Sequence, residues 1–165
     1  MPDNKTISIE LKPRTRENVV IYFNNAQDEE IRRFLPQKAK SAAEALEDYE
    51  RSLLPDSTSY GKSIYADGVY IGDIWAYCIG DGDPDAMLSF CIFDKSMWRK
   101  GAASKAAGLF IAEIKEKFAL KTLGAFTFSD NHASIKVLLN NGFSLIDTFT
   151  EDGVESKYFQ IDFDM

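Results

Sequence analysis

Residues 97–106, MWRKGAASKA, carry the residue types of an anion seat. A strand pattern ends just before them, a short loop holds Gly101, and a helix of small residues begins at once. The first N–H groups of a helix have no intrahelical acceptor and lie at the positive end of its dipole, so they receive phosphate readily. Gly101, Ala102 and Ala103 put no bulky side chain between that backbone and a ligand. Arg99, Lys100 and Lys105 add positive charge. The same ten residues also suit an ordinary strand-to-helix turn, and on their own they leave both readings open. The P-loop pattern GxxxxGK followed by Ser or Thr is missing, and so is the dinucleotide fingerprint GxGxxG.

A second segment, SDNHASIKVLLNNGF at 129–143, places Asn131 and Ser134 three residues apart, on one side of a first helical turn. An amide and a hydroxyl there could face a ligand. Asp130 or Asn131 equally suits a plain N-cap.

The elements that must position these groups follow from periodicity and turn residues. Ile7 to Lys12 alternates as a strand. Helices are expected at Arg14 to Asn25, Asp28 to Leu35 and Ser41 to Leu54, the last capped by Ser41 and stopped by Pro55. Asp67-Gly68 marks a hairpin between Tyr60–Ala66 and Val69–Cys78. Ala86 to Phe93 reads as the next strand. Ala103, Ala106, Ala107, Phe110, Ile111, Ile114 and Phe118 share one helical face. A strand at Leu123 to Phe128, a helix at Ala133 to Asn140 and a hairpin around Asp152-Gly153 complete the order. That order predicts a mixed α/β (α+β) fold around a mostly antiparallel sheet flanked by helices.

The 165 residues suit one domain, 1–165. With 19 Lys and Arg against 26 Asp and Glu, the net charge of -7 argues against nucleic-acid or anionic-membrane partners. The start, MPDNKTISIE, lacks the pattern of a signal peptide, and no apolar run spans a membrane. Cys78 and Cys91 show no CxxC spacing, and with a single His no metal site is expected. A cytoplasmic setting is expected.

Taken together, the glycine loop with its small-residue helix and the later NxxS helix ending in Gly-Phe resemble the GNAT superfamily of acyl-CoA N-acyltransferases. Within it they look like the RimJ/RimL-like branch. In that family's pyrophosphate motif, Gly101 and Ala103 match the last two fixed positions, while Trp98 stands where Gln or Arg opens the motif, as in the branch's WGKGYA pattern. The resemblance implies acetyl-CoA as cosubstrate and a primary amine as acceptor, either a protein N-terminus or a small amine. It implies that the backbone from Trp98 through Arg99, Lys100, Gly101, Ala102, Ala103 and Ser104 holds the pyrophosphate. It implies that Asn131 bonds the pantetheine arm between splayed strands. It leaves room for a homodimer.

Leu138 stands where many relatives carry a Tyr that protonates the leaving thiolate, so Ser134 is the catalytic acid expected here. Met87, Leu88 and Ser89 occupy the strand that often supplies a base. Asp73, Asp85 and Glu151 are substitutes, each expected at the surface, and His132 is expected to be exposed. Trp75, Tyr77, Phe90 and Phe126 are expected in the core, although one face of them could line an acceptor pocket. Cys91, between Phe90 and Ile92, reads as a small core residue rather than a nucleophile, so direct transfer is expected. A non-catalytic acyl-CoA-binding module and a nucleotide-binding domain are the alternative functions.

Overall fold

The computed structural model describes residues 6–163. The first five residues, on which the reading of the chain's start partly rests, lie outside the described residues, as do the last two. The elements run β1 (Ile9–Pro13), α1 (Arg16–Asn25), α2 (Glu29–Phe34), α3 (Ala42–Ser52), β2 (Tyr60–Ala66), β3 (Val69–Tyr77), β4 (Met87–Ile92), a single 3-10 turn (Lys95–Met97), α4 (Ala102–Lys117), β5 (Thr122–Phe128), α5 (His132–Asn140), β6 (Ser144–Glu151) and β7 (Val154–Asp162). Each expected element is present, with ends shifted by at most two residues. α1 starts at Arg16 rather than Arg14 because the Thr15 hydroxyl accepts from the Asn18 N–H and caps it. Ser41 caps α3 in the same way. Asp67-Gly68 and Asp152-Gly153 form their turns with positive φ at both residues, the requirement of a type I′ hairpin.

One seven-stranded sheet runs β1-β2-β3-β4-β5-β7-β6. Every neighbouring pair is antiparallel except β4 and β5. The mixed, mostly antiparallel sheet flanked by helices is therefore the one expected.

The two faces differ. On one, Ala106, Ala107, Phe110, Ile111 and Ile114 of α4 bury against Ile64, Ile74, Leu88, Leu123 and Phe159, with Val137 and Leu138 of α5 closing the core. On the other, α1 covers β2 to β4. Its Asn18 donates to the Ser63 and Tyr65 hydroxyls, and its Tyr22 meets Trp75 edge-on at 6.2 Å. The part of this second face made by β5 and the final hairpin lies open, with Phe126 55% exposed. That corrects the expectation of Phe126 as core. Trp75, Tyr77 and Phe90 are half-buried.

Candidate functional site

β4 and β5 share a single register pair, Met87 with Gly124, anchored by the Gly124 N–H donating to the Ala86 carbonyl. Beyond it β4 pairs only with β3, and β5 only with β7. The two strands therefore part toward their carboxyl ends, as expected. Each presents to the gap a backbone edge whose hydrogen bonds the sheet does not use. The Ser129 hydroxyl, just past β5, is buried without a hydrogen-bond partner.

Each parted strand leads directly into a helix. β4 continues through the 3-10 turn and Trp98 into α4, whose N-cap is Gly101. Thr15, Asp28, Ser41 and Asn131 cap the other α-helices with side chains, but Gly101 supplies none. The first-turn N–H groups of the longest helix are thus left to another acceptor. Gly101 has φ +81 and nothing lies within 4 Å of where its Cβ would stand, while Arg99 is also left-handed at φ 64. The loop is open from outside, with Arg99, Lys100 and Gly101 exposed and Ala103 and Ser104 half-buried; Ala102 is buried. Trp98 does not face this opening as a free side chain. Its indole N–H donates to the Ile92 carbonyl at 2.7 Å and its ring packs into the core, so it pins the loop to the end of β4.

β5 leads to α5, where the Asn131 side-chain oxygen Oδ1 accepts from the Ser134 N–H at 3.2 Å. Asn131 is thus the N-cap, and both residues sit half-buried in the same first turn. The α5 end is tied to α4 by Asn141, which donates to the Ser104 carbonyl. Across the mouth lies α2. Lys95 pairs with Asp28 and Glu30, and Arg33 pairs with Asp130, so exposed ion pairs join α2 to the loops following both parted strands. His132 is exposed.

Of the three carboxylates expected at the surface, only Glu151 is exposed. Asp85 accepts from the backbone N–H groups of Lys121 and Thr122, and so fixes the α4–β5 connection at the far end of the sheet. Asp73 is 1% exposed, which overturns the surface reading. The Tyr70 hydroxyl donates to its Oδ1 at 2.5 Å, and Arg14 Nη2 stands 3.2 Å from its Oδ2 without the alignment of a hydrogen bond. Burial pushes its pKa up to about 6, although Arg14 and Tyr70 pull the other way. Asp73 is paired in register with Cys91, one strand from the gap. Burial drives the Cys91 thiol up to about 12, consistent with an inert side chain. A signal for Asp73 was present in the sequence: one carboxylate inside the strand VYIGDIWAY, where burial demands a partner.

The model of the acetyltransferase (GNAT) domain matches residues 9–144. No curated protein is significantly similar in sequence. Among solved structures, the chain is similar to a spermidine N-acetyltransferase from Vibrio cholerae in complex with CoA and spermine. That likeness has TM-score 0.83 and 15% identity, over 93% of this chain and 95% of that one. An aminoglycoside acetyltransferase in complex with coenzyme A gives TM-score 0.78 and 16% identity, over 94% and 95%. RimL, a ribosomal L7/L12 α-N-protein acetyltransferase in complex with CoA, gives 0.78 and 16%, over 95% and 98%. At these identities the likeness is one of fold.

Proposed function

This chain belongs to the GNAT acetyltransferase family, and from that premise we propose that it transfers acetyl from acetyl-CoA to a primary amine held in the same complex. The observation that carries the reading is the uncapped α4 N-terminus at the mouth of the β4–β5 gap. In this reading the pyrophosphate lies on the backbone from Arg99 to Ser104, and the pantetheine arm runs between the strands. The Asn131 amide N–H₂ is free to reach that arm while its side-chain oxygen Oδ1 caps α5. The buried hydroxyl of Ser129 offers a further polar contact.

The amine enters from the face that α1 covers and the hairpin leaves open. It loses a proton to Asp73, directly or through one water, and its nitrogen attacks the thioester carbon. N–H groups on the free edge of β4 stabilise the oxyanion. The C–S bond then breaks, Ser134 protonates the thiolate, and the products are an amide and CoA. Placing both reactants in one cleft supplies the proximity that makes a covalent enzyme intermediate unnecessary.

The Trp98-to-Ala103 pattern supports the RimJ/RimL-like branch, and the two free cysteines fit a reducing cytoplasm. Among the described residues no helix is long and apolar enough to cross a membrane. A homodimer and a single-domain chain complete the proposal. Incubation with acetyl-CoA and a panel of primary amines tests it by release of free thiol. Release that depends on the amine is expected. Coenzyme binding with no release in any amine would leave the non-catalytic acyl-CoA-binding module in its place.

A further inference from the structure

The open half of the sheet carries an aromatic shelf directly beside the gap. A Cβ on Gly124 would meet both Met87 Sδ and Tyr158 Oη, so those two side chains share one face. Side chains alternate along strands, so Ser89 and Cys91 lie on that face on β4, and Phe126 and Phe128 on β5. Counted from the Met87–Gly124 pair, Ser89 stands level with Phe126 across the gap. Register then extends this row to both sides: Trp75 beyond Ser89, and Tyr158 and Asp147 beyond Phe126. The row thus reads Trp75, Ser89, gap, Phe126, Tyr158, Asp147.

Phe126 makes a tilted contact with Tyr158 at 5.1 Å and an edge contact with Phe149 at 5.8 Å, yet stays 55% exposed. Val154, on the same face of β7, is 47% exposed at the hairpin. A grouped aromatic surface left in water beside a cleft marks a recognition site, unlike a scattered apolar residue. Opposite it, across the gap, stand Trp75 and Tyr22, themselves in edge contact. The cleft over the thioester position is thus aromatic on both sides. Carboxylates stand at both ends of this face: Asp147 closes the row, and Asp73 lies two residues before Trp75 on β3. One ammonium can approach an aromatic face favourably.

We propose that the Phe126–Tyr158–Phe149 shelf holds the body of the acceptor, which is an amine carried on an apolar or aromatic group. This rests on the acetyl-transfer reading given above. The shelf fixes the body by stacking and directs the amine over the gap between Ser89 and Phe126. The net charge of -7 draws in the ammonium form from solution.

Transfer to phenethylamine and to spermidine, each followed by thiol release, tests the shelf, with CoA titrated into the same samples. Phenethylamine is expected to give kcat/KM at least about tenfold above spermidine. Phe126→Ala is expected to raise KM for phenethylamine about tenfold, the size of one aromatic pair, with kcat and CoA affinity unchanged. Phe126→Tyr, which keeps the ring, is expected to stay close to wild type. Preference for spermidine, or an unchanged KM in a folded Phe126→Ala protein that binds CoA and releases thiol, overturns the shelf and leaves the acetyl-transfer reading standing. Failure to bind CoA at all overturns both.

Discussion

Met87 and Gly124 form the single register pair that joins β4 to β5, and the strands part immediately beyond it. Gly124 leaves room there for the Tyr158 and Met87 side chains, which a Cβ would displace. A Cβ would stand 2.6 Å from Tyr158 Oη and 2.9 Å from Met87 Sδ. Gly124→Val is therefore expected to destabilise the fold by about 1–3 kcal/mol through overpacking. The check is a urea midpoint that falls while the slope stays constant. An unchanged midpoint would mean that the apex of the gap is loosely packed.

Asp73 has its pKa raised to about 6 by burial. As a proton acceptor it works only when ionised, so activity is expected to rise as pH increases through about 6 and then level. The groups facing it are Arg14, Tyr70 and Ser63, with Cys91 paired beside it and Tyr22 above that thiol. Asp73→Asn is expected to lower kcat by about 10²-fold or more and to abolish the limb near pH 6. A pH profile of kcat checks this. An Asn variant that retains the wild-type limb would assign the proton to another group.

Asn131 and Ser134 share one cap hydrogen bond but have separate expected roles. Asn131→Ala removes both the cap and the amide donor, so coenzyme affinity should fall and α5 should lose about 1 kcal/mol. Ser134→Ala keeps its backbone N–H in the cap, so turnover should fall more than affinity. Full turnover of Ser134→Ala between pH 6 and 9 would make it a helix-turn residue only.

Cys91→Ala is expected to keep most of the turnover, because burial holds its thiol protonated. Initial-rate patterns for two varied substrates are expected to show a ternary complex. Acetyl label trapped on Cys91 would contradict direct transfer.

The fold was legible in the sequence to within a few residues because its signals are local. Asp67-Gly68 and Asp152-Gly153 declare their turns, Ser41 its cap, and the Ala106-to-Ile114 stripe its buried face. The glycine loop and Asn131 were legible as a motif. What the sequence did not disclose depends on tertiary placement. Asp73 carries a hint of burial in its apolar strand, but its partner Arg14 and its cover by α1 come from tertiary placement. Phe126 looks like core until the end of the helical cover leaves it in water. Asp85 resembles a candidate base until the sheet order places it at the end away from both helix N-termini.

The most direct measurement is a calorimetric titration of CoA into wild type and into Gly101→Glu. Gly101 holds φ +81 at an uncapped helix start, so a glutamate there adds about 1–2 kcal/mol of backbone strain and sets a carboxylate against the phosphates. Wild type is expected to bind CoA and, at about 100 times Kd, to gain roughly 2.7 kcal/mol of stability. The folded Gly101→Glu protein is expected to lose most of that affinity. Equal affinity in both proteins, or no binding by wild type at millimolar CoA, would contradict a coenzyme seated on the N-terminus of α4.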